Sequence, residues 1–339
     1  MNFRKRLKKG PVLCGQGYLF ELERRGYLKA GPYVPEVVLD YPDAVRELHR
    51  EFLRAGSDIM EALTFYAHRD KLRQVGREGE LERLNRAALR LAREVAEEAE
   101  AYMAGNICNT WVYDPDDPAT FDQVRDMYRE QVGWARDEGA DLVIAETIDY
   151  LGEARLALEV IREFDLPAVV TLAPYYDKSR DGYSWEEACR VLEEEGADVV
   201  GLNCGRGPET MLPILERIRS TVGGEVAALP VPYRTTEEEP TFQQLRDPDG
   251  RQAFPLNLEP FLLTRDEMAA FAVTAGGLEI NYLGICCGAA PHFLRAMAEA
   301  LGREVPASRY SPDLTEHSML GTEEVVREHN RPFRKWWTD

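Results

Sequence analysis

Short apolar runs alternate with amphipathic stretches along the whole chain. Three runs share one grammar: "AGSDIMEA" from Ala55, "EGADLVIAE" from Glu138 and "EGADVVGLN" from Glu195. A looser fourth copy, "GGLEINYLGICC", starts at Gly276. Helical spacing precedes each, over Ala44 to Leu53, Thr120 to Arg136, Trp185 to Glu194 and Asp266 to Thr274. A glycine closes each helical stretch, because a left-handed backbone costs glycine least. An Asp, Ser or Glu then leads into an apolar strand. Four more strand-like runs, "PVLCG", "AYMAGNIC", "PAVVTLA" and "VAALPVP", lie between these units.

Continuous apolar strands between amphipathic helices predict a parallel sheet covered on both faces. Eight such runs in 339 residues predict an α/β fold, a (β/α)8 TIM barrel over 1–305 with a short C-terminal extension over 306–339. The alternative is a doubly wound open sheet. Against it, no Gly-x-Gly-x-x-Gly follows the first strand; the "GQG" after Cys14 is too short. Barrel enzymes work at the C-terminal ends of their strands. The candidates there are Cys14 with Gly15, Thr64 to Tyr66, Cys108 with Asn109, Glu146, Pro174 to Tyr176, Cys204, Pro232 with Tyr233, and Cys286 with Cys287.

A net charge of −19 argues against nucleic acid and anionic membranes as partners. No run is long enough to span a membrane. The basic segment Arg4 to Lys9 is followed by too short an apolar stretch for an export signal. A cytoplasmic location follows, and the six cysteines are expected to be reduced.

Cys204 ends the sixth run and Cys286–Cys287 the eighth, so three thiols reach one barrel mouth. Adjacent residues of an extended strand point opposite ways, so both thiols can bind one ion only where the strand breaks; Gly288 supplies the break. Three thiolates suit zinc and leave a fourth position open, the mark of a catalytic site. Vicinal cysteines also occur as buried apolar residues or as a redox pair, and those readings stay open here. Cys189 falls in a helical pattern and reads as core; Cys14 and Cys108 read as structural or pocket-lining. His292, at a helix start, reads as a cap or supporting residue.

"GLNC" followed by "GICCGAAPHFLRAMAEAL" resembles the homocysteine S-methyltransferase family. The run from Phe20 to Leu72 is similar to its betaine–homocysteine branch, as are "LVIAE" and "NLEP". The resemblance runs to about Arg303. It implies a zinc-dependent barrel in which Cys204, Cys286 and Cys287 hold the metal, with a small-molecule methyl donor and a thiol acceptor as partners. It also implies a homo-oligomer, although the chain ends at Asp339 after "RPFRKWW", short of that branch's dimerisation arm. Tyr66 matches a donor-contacting tyrosine, Tyr33 stands where the branch has a tryptophan, and Glu146 matches a glutamate that contacts the amino-acid acceptor.

A quaternary ammonium or sulfonium donor is held by aromatic faces; Tyr66, Tyr233, Tyr33, Tyr175 and Tyr176 are placed to offer them. Two residues depart from the family. Gly15, with Gln16 beside it, stands where an aspartate grips the acceptor's ammonium, and Thr147 replaces an aromatic residue. The reading is therefore transfer of a methyl group from a betaine-like onium donor to homocysteine, giving methionine. The departures predict weak use of homocysteine, improved by Gly15→Asp. Transfer to another thiol or from a sulfonium donor such as S-methylmethionine or dimethylsulfoniopropionate is the first alternative. A non-catalytic zinc or redox-sensing barrel is the second.

Overall fold

The computed structural model describes residues 2–333, so the end of the "RPFRKWW" segment lies outside the described residues. Eight strands close a parallel barrel in chain order: β1 (Val12–Gly15), β2 (Ile59–Glu61), β3 (Tyr102–Cys108), β4 (Leu142–Ile148), β5 (Ala168–Leu172), β6 (Val199–Asn203), β7 (Glu225–Leu229) and β8 (Tyr282–Ile285). β8 pairs back onto β1, which excludes the open sheet.

A helix returns the chain after each strand: α1 (Pro42–Arg54), α2 (Leu81–Glu97), α3 (Ala119–Asp137), α4 (Leu151–Glu163), α5 (Trp185–Glu194), α6 (Pro208–Thr221), α7 (Arg265–Gly277) and α8 (Pro291–Ala300). Two helices start where a side chain caps them, and α1, α6 and α8 start on a proline. Ser184 with Glu187, and Thr264 with Glu267, form reciprocal capping boxes at α5 and α7. Val45, Leu48 and Phe52 repeat at helical spacing along the buried stripe of α1. The echo holds at three of its four copies, where Gly56, Gly139 and Gly196 take left-handed φ values of 104°, 82° and 100°. In the fourth, α7 runs through Gly277 and Glu279 takes the left-handed position at φ 58°.

Side chains alternate across each strand. Val12, Cys14, Ile59, Ile144, Val199 and Leu229 fill the lumen in one cluster. Leu13, Met60, Val143 and Val200 face outward into the larger cluster with the helices. That parity decides what each strand end shows to the mouth.

Between β7 and α7 the chain makes a long excursion over 230–264, pinned by an antiparallel bridge between Tyr233 and Leu262. Phe242, Leu245, Ala253 and Leu258 from this excursion pack with Phe20, Cys204 and Cys286 into a third apolar cluster. Among the described residues, 306–330 carry only turns and short 3₁₀ helices, and no helix is long and apolar enough to cross a membrane.

Candidate metal centre and active site

The ligand atoms of Cys204, Cys286 and Cys287 all lie within 4.8 Å of one another, the one such cluster among the described residues. β6 ends at Asn203 and β8 at Ile285, so each cysteine stands just past a strand, where the backbone is free to turn. The break expected at Gly288 is present, with φ 93°; a Cβ there would sit 2.5 Å from the Tyr233 hydroxyl. Cys204 itself holds a left-handed φ of 62°. Backbone bonds fix both segments: Cys204 N–H donates to Leu229 O at 3.0 Å and Cys286 N–H to Pro230 O at 2.9 Å. Asn203 Nδ2 also approaches Cys286 Sγ at 3.6 Å.

Thiol donation from Cys286 and Cys287 holds the Cys204 thiol well below its ordinary range. Burial pushes Cys286 up, and the bond to Cys204 pushes Cys287 up. Contact among the three thus draws Cys204 down while its two neighbours are pushed up. That donor set fits a thiophilic cation in a site with an open position.

The thiols face a cavity of about 530 Å³ at the C-terminal mouth. Its floor is polar. Asn106 Nδ2 donates to Glu61 Oε1 at 2.6 Å and to Glu146 Oε1 at 2.7 Å. Asn203 Nδ2 donates to Glu146 Oε2 at 2.9 Å and lies 2.7 Å from Thr147 Oγ1. Burial pushes the Glu61 carboxyl up to about 7, and burial next to Glu61 pushes Glu146 up well above its ordinary value. The upper wall is aromatic and includes Phe20, Tyr33, Phe65, Tyr66, Trp111 and Phe254.

Of the expected site residues, Cys204, Cys286, Cys287, Glu146, Tyr66 and Tyr33 all line this one cavity. Tyr33 stacks on Phe20 at 5.1 Å between centroids. Tyr66 already has a cation over its ring, Lys71 Nζ at 4.2 Å, and Cys108 Sγ accepts its backbone N–H at 3.3 Å. Tyr233 stands elsewhere: it is fully buried, stacked on Phe242, and accepts a hydrogen bond from Arg24 at 2.8 Å. It braces the metal-site loop from behind, as an aromatic residue in the third apolar cluster.

Gly15 and Gln16 do not line the cavity either. Gly15 has the outward parity of Leu13. A Cβ on it would meet the Phe52 ring at 2.4 Å, so a side chain here would run into α1. Gln16 is buried beside Glu61 and draws that carboxyl down against the effect of burial, although neither of its amide atoms makes a hydrogen bond of good geometry. His292 is the second residue of α8, behind Pro291, while Ala290 occupies the cap position.

Sequence reasoning missed Glu61, Asn106 and Trp111. Eight non-glycine residues among those described have left-handed φ; Tyr33, Tyr66, Trp111, Thr147 and Cys204 line the cavity. Such backbone is held only where the surroundings over-determine it, and it concentrates at working sites. For the β-branched Thr147 it is a strong outlier.

A family model described as homocysteine S-methyltransferase matches residues 13–301. Betaine–homocysteine S-methyltransferase 1 of Danio rerio is 38% identical over 338 residues, covering 97% of this chain and 82% of that protein. S-methylmethionine–homocysteine S-methyltransferase BHMT2 of Rattus norvegicus is 34% identical over 347 residues, covering 98% and 91%. Among solved structures, the metallated form of the homocysteine methyltransferase MmuM from Escherichia coli superposes with a TM-score of 0.69 at 18% identity, covering 87% of this chain and 98% of that one.

Proposed function

Because the chain belongs to the homocysteine S-methyltransferase family, we propose that it moves a methyl group from a betaine-like onium donor to the thiol of homocysteine, giving methionine. The observation that carries this reading is the joining, in one cavity, of a three-thiol cluster, an acidic floor and an aromatic wall. The resident metal is read as zinc, held by Cys204, Cys286 and Cys287. When bound, zinc supplies an acceptor sulfur that stays a thiolate at neutral pH.

The chain's own residues do the rest. Glu146, on the floor beside the thiols, accepts from the acceptor's ammonium. Tyr66 and Tyr33, joined by Phe20, Phe65, Trp111 and Phe254, present π faces to an onium head. The wall also keeps water from a nucleophile that reacts best desolvated. The new S–CH3 bond forms as the CH3–N⁺ or CH3–S⁺ bond breaks, and the donor leaves as a neutral amine or thioether. The acceptor's thiol proton has by then gone to solvent. Holding sulfur and methyl carbon in line supplies much of the rate.

We read 1–305 as the catalytic barrel and 306–339 as an extension. The test is purified, zinc-loaded protein incubated with homocysteine and trideuteromethyl betaine, S-methylmethionine or dimethylsulfoniopropionate. Labelled methionine from one of them supports the reading. Bound zinc with no methylated thiol from any donor overturns it and leaves the sensing barrel.

A further inference from the structure

The floor of the cavity holds two buried carboxyl groups, and among the described residues no ion pair reaches either. Glu61 and Glu146 are only 3% and 5% exposed. Elsewhere arginines meet carboxylates readily, as at Arg25–Glu51 and Arg303–Asp58. The groups that act most on Glu61 are Asn106, Gln16 and Cys14, and those on Glu146 are Glu61, Asn106, Cys204 and Thr147; none of them is basic. A buried carboxylate without a cation is costly unless donors surround it.

Glu153 shows how this chain satisfies a buried carboxylate that has only a structural task. It is 2% exposed and accepts from Thr110 N–H at 2.7 Å, Thr110 Oγ1 at 2.6 Å and Tyr128 Oη at 3.2 Å. It does not line the cavity. Glu61 has similar burial but looser support: the Asn106 amide at 2.6 Å, the Gln16 side chain without a hydrogen bond of good geometry, and a thiol contact from Cys14 at 3.9 Å. Asn106 spends one nitrogen on both carboxylates, and its own Oδ1 has no partner. All three side chains line the cavity that also holds the thiols. A small cation bearing several N–H donors has the chemistry to satisfy both carboxyl groups and the Asn106 oxygen at once.

We propose that Glu61 selects the acceptor: with Glu146 and the Asn106 amide it forms the seat for the α-ammonium group of the amino-acid thiol. This rests on the methyl-transfer reading. It replaces the expectation that homocysteine is poorly held for lack of an acid at position 15. Parity turns position 15 outward, while Ile59 and therefore Glu61 face the lumen, so the second carboxylate comes from β2.

The experiment compares homocysteine with 4-mercaptobutanoate, the same thiol without the ammonium, in wild type and Glu61→Gln. Wild type is expected to prefer homocysteine in kcat/KM. Glu61→Gln should erode that preference by about tenfold to a hundredfold, the range for one hydrogen bond to a charged group, mainly through KM. Glu61→Asp should restore part of it. An unchanged preference in Glu61→Gln, or equal losses with both thiols, overturns the assignment. Should the variants fail to fold, calorimetry on wild type decides: methionine must bind more tightly than 4-(methylthio)butanoate, and equal affinities overturn the proposal. A wild type that methylates neither thiol from any donor counts against the methyl-transfer reading, while the calorimetric comparison still judges the ammonium seat.

Discussion

Cys204 Sγ lies 3.6 Å from Cys287 Sγ across 83 residues of sequence, with β7 standing between the two strands that deliver them. The barrel's closure, and no local motif, makes that contact. Each thiol is therefore expected to be indispensable to the metal. Purified protein should carry about one zinc per chain, and Cys286→Ala should lose most of both metal and turnover, since a three-cysteine site loses a charged ligand. Elemental analysis of the two proteins checks this; full zinc in Cys286→Ala would refute the assigned ligands.

The same proximity makes the metal-free protein vulnerable to oxidation. The Cys204 thiol is drawn down by its thiol neighbours, one of them in contact, and thiolates are the form that oxidants attack. Chelation followed by hydrogen peroxide should remove two free thiols per chain and be reversed by dithiothreitol. The zinc-loaded protein should resist. Metal-free protein that loses no thiols reversibly under peroxide would refute this pairing.

The Lys71 ammonium over Tyr66 shows that this ring attracts cations in the substrate-free chain. Tyr66→Ala should weaken onium-donor binding by about 1–2 kcal/mol, the range for a desolvated cation–π contact. Acceptor affinity should change less. A donor KM equal to wild type would reduce Tyr66 to packing.

Gly15→Asp is expected to damage the protein and leave acceptor choice unimproved. Its Cβ would press on the buried Phe52 ring at 2.4 Å. Overpacking of this kind costs about 1–3 kcal/mol, before the added cost of a buried carboxylate. Thermal unfolding should show a clear drop. Gain in homocysteine use with unchanged stability would mean that β1 can turn the new side chain inward.

Burial pushes the Glu61 carboxyl from an ordinary value of 4.5 up to about 7. Between those values the folded state keeps a proton that the unfolded chain has released, so stability falls as pH rises through the window. One such group accounts for roughly 3 kcal/mol at about 1.36 kcal/mol per unit. Substrate-free wild type should therefore lose melting temperature from pH 5 to pH 8, and Glu61→Gln should lose less. Methionine should restore more of the loss in wild type than in the variant. Parallel pH profiles for the two proteins would show that Glu61 is not the group responsible.

The barrel was legible because its signals are local and repeated: apolar runs of strand length, capping residues such as Thr264 with Glu267, and glycines such as Gly139 at helix ends. The thiols were legible because strand order alone brings their ends to one mouth. Residues whose role depends on direction were harder to read. Tyr233 sits at a strand end like Tyr66, yet it turns behind the metal-site loop. Glu61 closes a three-residue strand, where alternation from Ile59 does give the inward direction, but only once Ile59 is known to face the lumen. Asn106 gave no sign at all, since an amide in an apolar strand declares itself only when both its carboxylate neighbours are in place.

Thr241, Phe242, Gln243, Gln244 and Phe254 reach the cavity from the single excursion over 230–264, which contributes neither a metal-site thiol nor a floor carboxylate. The chamber is thus built in two parts, barrel strand ends and a flap, joined through the apolar packing of Phe242 and Leu245 against Cys204 and Cys286. A lineage could trim or widen the room beside the donor by rewriting Thr241, Gln243 and Gln244 of this flap, leaving the donor's aromatic faces at Tyr66 and Tyr33 in place. The sulfur chemistry and the grip on the amino acid, anchored in the barrel's own strand ends, would be inherited intact.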